Sequence, residues 1–215
     1  MNYVFALSLV EGLKNTIVLS LLSFLFGGPI GAIVALARIS PASAVRKLAA
    51  AYIQLMQGIP LLVLMGLCYF GPILFGFNGV TELFAATLAM SLYTSAFVAE
   101  IWRGCLQAVP KAQWEAAECI GLSRLQRMWY VIVPQALKLS LPPTVGMMVQ
   151  VIKNTSIASI VIGFPDLSYN AKLINNTTFQ PFIYFGLAGV LYFCVCYPLS
   201  ELSRTLERKL NVGNR

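Results

Sequence analysis

Long stretches without a single charge are the feature that most limits what this chain can fold into. There are 23 uncharged residues between Lys14 and Arg38, 34 between Lys47 and Glu82, 17 between Glu82 and Glu100, and 28 between Lys172 and Glu201. A helix needs about 20 apolar residues to cross a hydrocarbon core, so each run is near or above that length. A fifth stretch, Leu141 to Gly163, is broken only by Lys153. The runs are continuously apolar and do not alternate, which excludes β-barrel strands. With 58% hydrophobic and 11% charged residues, against about 25% charged in soluble domains, the chain cannot coat a water-facing globule. The sequence therefore predicts an all-α integral membrane protein forming one transmembrane domain over 1–215. Five transmembrane helices are expected near 15–37, 50–73, 82–102, 141–163 and 180–201.

Orientation follows from where Lys and Arg fall. With the N-terminus outside, the first-to-second connection faces the cytoplasm with Arg38, Arg46 and Lys47. The third-to-fourth adds Arg103, Lys111, Arg124, Arg127 and Lys138, and the C-terminus adds Arg204, Arg208, Lys209 and Arg215. That places 12 of the 15 basic residues inside, and the reverse orientation would place them outside. The expectation is N-out/C-in, with Asn78 and Asn176 outside and Ser43 and Arg215 inside. The net charge of +7 is then a matter of topology and anionic headgroups, not of nucleic acid. Residues 1–14 lack a basic segment ahead of an apolar run and carry Glu11 and Lys14, so they read as a short amphipathic segment on the outer face rather than a signal peptide.

Several chemistries are excluded. The chain has no His, which removes an imidazole base or a His-ligated metal. No G-x-x-x-x-G-K-[ST] occurs, so there is no P-loop. Cys68, Cys105, Cys119, Cys194 and Cys196 lie mostly in apolar context without metal-ligand spacing. No catalytic residue and no metal site are expected.

The segment 105–139 is the least membrane-like part and reads as two short helices in the cytoplasm. Pro110 suits a first helical turn, and Gly121 suits a left-handed cap after Gln113-Trp114-Glu115-Ala116-Ala117. Ser123 with Gln126 reads as a capping box. Leu125, Met128, Trp129 and Ile132 then form an apolar stripe, which Pro134 is expected to end. Ala112, Ala116 and Ala117 beside Glu115 make a low ridge shaped for a groove on another protein.

Here the residues carry a resemblance. Glu115-Ala116-Ala117 with Gly121 and Pro134 resembles the EAA loop of permease subunits of ATP-binding-cassette (ABC) importers. Leu92 to Gly104, Val109 to Ala117, Pro134-Gln135-Ala136-Leu137, Leu141-Pro142-Pro143 and Lys153-Asn154-Thr155-Ser156 extend the match to the polar amino acid uptake family, of the histidine/glutamine permease type. Three positions depart from its pattern: Gln57 stands in place of an Arg, Ala112 in place of a Gly, and Asp166 in place of a Glu.

The resemblance implies a non-enzymatic, multi-pass subunit of the prokaryotic plasma membrane (the cell inner membrane), embedded in the lipid bilayer. It implies a second permease subunit, identical or paralogous, and a cytoplasmic ATPase subunit that holds the ATP and Mg. It also implies a periplasmic or extracellular amino-acid-binding protein. Gln113, Glu115, Ala116, Ala117, Gly121 and Ser123 would couple to the ATPase, closure of which would rock the spans. Glycine and proline pairs at Gly27-Gly28-Pro29, Gly58-Ile59-Pro60, Pro142-Pro143 and Gly163-Phe164-Pro165 suit packing and hinging.

Two ionisable groups fall in the spans. Glu100 stands three residues before Arg103, as an interfacial ion pair or a path residue. Lys153 is near mid-span, where it meets either a substrate carboxylate or an acidic group of a neighbouring chain. Asn154, Thr155, Ser156 and Gln57 are grouped with these two as a substrate path. Asp166 and Lys172, in the outer segment 165–178, are candidates for docking the binding protein. The alternative is an ATP-independent channel or secondary transporter for a small polar solute, which calls for midplane ionisable pairs or repeated broken helices. One midplane charge and no clear repeat are present.

Overall fold

Every third or fourth position along one face of the first helix is small, and that spacing decides how the bundle is built. The computed structural model describes residues 3–77 and 79–212, with side chains to residue 210; Asn78 and Arg215 lie outside the described residues. Helix α1 (Tyr3–Arg38) buries Thr16, Ser20, Ser23, Gly27, Gly31 and Ala35 along one stripe. The stripe packs on α4 (Glu82–Ala108), whose buried face is equally small: Ala85, Ala89, Ser91, Thr94, Ser95 and Ala99. A Cβ on Gly27 would lie 2.8 Å from the Ser91 carbonyl oxygen, and one on Gly31 would lie 2.8 Å from that of Ser95. Two small-residue faces let the backbones approach to dispersion contact, which replaces the hydrophobic driving force that lipid does not supply. The hydroxyls of Ser20 and Ser23 donate back to the carbonyls of Thr16 and Leu19 at 2.7 Å, so they cost little in an apolar contact.

Helix α1 is continuous from Tyr3, so residues 3–14 are not a separate surface segment as expected. The reason is packing. Leu9 and Gly12 are buried, and a Cβ on Gly12 would come within 2.8 Å of the Asp166 carbonyl oxygen. Ser8 donates to Asn170 and Asn15 to the Pro165 carbonyl, both at 2.9 Å.

The expected second span is two helices. Helix α2 (Ser43–Gly58) and α3 (Leu61–Leu74) meet at an angle of 97°. Ile59 is extended (φ −90°, ψ 125°) and Pro60 opens α3. Proline has no N–H to continue α2 and drives the preceding residue out of the helical region. Tyr52 of α2 donates to Ser95 Oγ at 2.6 Å, the Ser95 hydroxyl itself donating to Leu92.

Helix α5 (Lys111–Cys119) and the short α6 (Arg124–Gln126) follow α4. A π-helical turn, Arg127–Ile132, then leads into α7 (Val133–Ile162). Pro134 therefore does not stop the helix. A proline in a regular α-helix collides with the carbonyl four residues back. The wider π-turn, with Val133 N–H bonded to the Met128 carbonyl, removes that collision. Residues 124–162 form one helical column of 39 residues, so 133–139 belong to the same helix as the fourth expected span. Gly163 (φ +72°) caps α7.

Helix α8 (Leu167–Thr178) is tucked among α1, α7 and α9 (Pro181–Val212). Ser203 of α9 donates to the Pro142 carbonyl at 2.7 Å. The main core gathers Leu19, Met65, Met90, Val98 and Val151 from α1, α3, α4 and α7. No strand occurs among the described residues. Among the described residues four helices are long and apolar enough to cross a membrane, and the bent α2–α3 pair counts as a fifth when its two halves are taken as one span. Large apolar side chains such as Phe182 (94% exposed) and Leu74 (85%) face outward, as lipid requires.

Candidate functional site

The segment joining α4 to α7 is built as a rigid shoulder. Helix α5 ends in a Schellman motif: Leu122 N–H bonds the Ala117 carbonyl and Gly121 N–H bonds that of Glu118, with Gly121 at φ +80°. Ser123 accepts from Gln126 N–H and Gln126 accepts from Ser123 N–H, closing the capping box. Arg127 pairs with Glu118 at 2.7 Å, and Gln135 donates to Gln113 at 3.3 Å. Beneath lies an apolar cluster of Leu106, Val109, Ile132 and Ala136, with Trp114, Leu36 and Ile39 against it.

Of the residues assigned to coupling, Gln113, Glu115, Ala116, Gly121 and Ser123 are exposed on this shoulder. Ala117 is not; it is 3% exposed. Its small side chain faces inward, so it shapes the shoulder without being presented on it.

The residues grouped as a substrate path do not form one cluster. Lys153, Asn154, Thr155 and Ser156 are successive on α7 and point to different sides, as a helix with 3.6 residues per turn dictates. Lys153 is exposed, facing a groove with Tyr192, Tyr197, Ser200 and Arg204. It makes no salt bridge among the described residues. Asn154 is buried and accepts from Gln150 at 3.1 Å. Ser156 donates to the Lys153 carbonyl. Glu100 is paired with Arg103, whose Nε lies 3.0 Å from Oε1, and Arg103 also donates to Gln107 at 2.6 Å. Gln57 is exposed on α2, with Nε2 3.5 Å from the Ala96 carbonyl.

Asp166 corrects the docking expectation for that residue. It is fully buried, because its carboxylate caps α8 by accepting from Tyr169 N–H at 2.8 Å. Tyr192 of α9 donates to it at 2.9 Å, and Thr155 Oγ1 of α7 lies 3.3 Å away. Leu167 N–H donates to Thr16 of α1, so four helices meet here. Lys172 remains exposed. Thr16 and Tyr192 were not singled out in the sequence, although the small-residue stripe through Thr16 was visible in its three- and four-residue spacing.

Burial pushes the Asp166 carboxyl above the ordinary carboxylate range, against the opposing pull of its hydrogen bonds. A raised folded-state pKa contributes stability that is fully present below the unfolded value and is lost as pH rises through the folded value. The thermal midpoint of the detergent-solubilised chain is thus expected to fall as pH rises from about 4 through that raised value. Asp166→Asn keeps the capping acceptor and should flatten this dependence, whereas Asp166→Ala should cost about 1–3 kcal/mol at every pH. An unchanged slope in Asp166→Asn would rule the assignment out.

Comparison with known proteins agrees with this architecture. A chain in the crystal structure of an amino acid ABC transporter with histidines superposes with a TM-score of 0.89 at 34% identity, covering 95% of both chains. An inward-facing MetNI methionine ABC transporter shares the fold, with a TM-score of 0.74 at 18% identity over 96% of this chain and 99% of that one. The probable amino-acid ABC transporter permease protein YckA of Bacillus subtilis (strain 168) is 35% identical over 202 residues, 93% of this chain and 88% of its own. The L-cystine transport system permease protein TcyB of the same organism is 35% identical over 203 residues, 93% of this chain and 85% of its own. Residues 27–211 match the family of binding-protein-dependent transport system inner membrane components, and the chain belongs to that family.

Proposed function

We propose that the chain is the membrane-spanning subunit of an ATP-driven amino acid importer in a prokaryotic inner membrane. It lines the translocation path together with a second permease subunit and receives substrate from a soluble binding protein. Its N-terminus is outside and its C-terminus inside. The shoulder of α5 and α6 docks a cytoplasmic ATPase subunit, which carries the ATP and Mg. The observation that carries this reading is the shoulder itself, capped at both turns and clamped to α4 and α7 while presenting Glu115 and Ala116 outward. A plain connector between spans needs no such rigidity; a lever does. Amino acids are favoured as cargo by the relatives' own substrates and by the near full-length likeness to them.

Co-purification tests the assembly: a tagged chain should retain an ATP-hydrolysing subunit through gel filtration, and active uptake by the chain alone would refute the reading. Orientation is tested by cysteine labelling in intact cells. Asn176→Cys should react with an impermeant maleimide, and Ser43→Cys should react only after lysis. Labelling of Ser43→Cys from outside would overturn N-out/C-in.

Lys153 lies nine residues from the end of α7, about 14 Å along the axis, with an exposed ammonium group. A substrate carboxylate in the path is the proposed partner. Lys153→Met should leave the yield of complex intact and lower uptake about 10- to 150-fold, the loss of one charge-assisted hydrogen bond. Equal loss of yield and uptake would instead assign Lys153 to a structural pair with a neighbouring chain, and unchanged uptake would remove it from transport.

A further inference from the structure

Three adjoining hollows run along one side of the chain where α1, α4, α5 and α7 meet. The first, about 540 Å³, has a basic mouth formed by Arg38, Arg46, Lys111 and Arg124, and no Asp or Glu lines it. The second shares Ile39, Ser40 and Arg124 with the first and continues to Leu36 and Trp129. The third shares Leu36 and Trp129 and ends in a slot of about 230 Å³ walled by Trp102, Leu106, Val133 and Leu137. Trp102 spends its indole N–H on Thr144, and Ser140 its hydroxyl on the Leu137 carbonyl. Neither donor is left for the slot. The combined groove is cationic at one end and hydrocarbon-like at the other.

The basic end also lacks something. Arg38 Nε is buried and has no hydrogen-bond partner among the described residues. Such a donor is costly to leave unmade, and an anionic oxygen in the mouth would remove that cost. Lys111 and Arg124 are exposed and make no salt bridge among the described residues. Arg46 donates to the carbonyls of Ser40 and Pro41 at 2.9 Å, so it shapes the mouth and adds charge.

We propose that this groove binds one anionic phospholipid, with its phosphate at Arg38, Lys111 and Arg124 and an acyl chain in the Trp102–Val133 slot. A soluble anion would satisfy the mouth but leave the slot empty, and a neutral apolar molecule would leave the arginines unpaired. Basic pockets between membrane helices select anionic headgroups in this way. A bound lipid would touch α5 and the ends of α1, α4 and α7 together, pinning the shoulder to the bundle. Under the orientation proposed above the lipid belongs to the inner leaflet, and only that assignment rests on it. Binding in micelles does not depend on it, nor on the presence of an ATPase.

The chain carries its own probe, because its three tryptophans, Trp102, Trp114 and Trp129, all line these hollows. The full chain in detergent is titrated with phosphatidylglycerol or phosphatidylcholine carrying dibrominated acyl chains, which quench indole fluorescence on contact. Phosphatidylglycerol should saturate at a mole fraction at least about tenfold lower than phosphatidylcholine, since each basic residue contributes roughly fivefold near a charged lipid. Arg38→Gln, Lys111→Gln and Arg124→Gln together should move the phosphatidylglycerol curve onto that of phosphatidylcholine, with the far-ultraviolet circular dichroism unchanged. Lys172→Gln, on α8, should leave both curves in place. If the triple variant misfolds, Arg124→Gln alone is read, with a shift of about fivefold expected. Equal quenching by the two lipids, an unmoved curve in folded variants, or displacement of phosphatidylglycerol by millimolar glycerol phosphate would each overturn the proposal.

Discussion

Gly31→Val is expected to lower the yield of monodisperse chain more than tenfold, while Gly28→Ala leaves it unchanged. Both glycines are in α1, three residues apart. At Gly31 an added Cβ would lie 2.8 Å from the Ser95 carbonyl oxygen and 2.9 Å from Val98, whereas at Gly28 it would meet nothing within 4 Å. The obstruction at Gly31 is partly backbone, so no rotamer change relieves it, and α1 must move away from α4. Overpacking of this kind costs about 3 kcal/mol or more, on the order of 100-fold in the folded ratio. That contact includes Thr94, Ser95 and Ala99, all fully buried, so separating the helices would also uncover polar groups to lipid. Gel filtration and thermal midpoints of the two variants measure the effect. A normal Gly31→Val protein would show that the α1–α4 seam is not the keystone of the bundle.

Gly121→Val has a different expected signature: normal insertion and yield, but near-complete loss of coupling between ATP hydrolysis and uptake in the assembled transporter. Nothing lies within 4 Å of a Cβ at Gly121, so the defect is conformational rather than steric. Its φ of +80° costs a side-chain-bearing residue about 1–2 kcal/mol, and more when β-branched. Release of that strain breaks the two closing bonds to Ala117 and Glu118 and redirects α6 relative to α5. Substrate-stimulated ATPase activity and uptake are both measured. Gly121→Asn, which tolerates the left-handed region, should retain most of each. Full coupling in Gly121→Val would show that the angle between α5 and α6 does not transmit motion.

Local rules read well from the sequence where one residue's own chemistry decided the outcome. Gly121 and the Ser123–Gln126 box were visible because caps depend on residues three or four positions apart. The uncharged runs were visible because lipid admits little else. What stayed hidden depended on partners distant in sequence. Gly58-Ile59-Pro60 showed a kink, but a 97° turn also depends on what receives α3, namely α4 and α7. Pro134 read as a stop because proline ends a regular helix; the preceding π-turn that accommodates it has no simple signature in side-chain type. Asp166 read as exposed because it lies in a polar outer segment. It is buried because Thr155, Tyr192 and the start of α8 supply its hydrogen bonds. Lys153 to Ser156 looked like one site in sequence, yet helical geometry turns them to different sides.

The central claim is that α5 is the contact through which an ATPase subunit moves these spans. A photo-cross-linking residue at Glu115, exposed on α5, tests it in native membranes, with Lys172 on α8 as the remote control. The predicted result is one adduct from Glu115, identified as an ATP-binding subunit and altered in yield by nucleotide, with no adduct to that subunit from Lys172. A chain active in uptake that gives no such adduct at Glu115 would contradict the account.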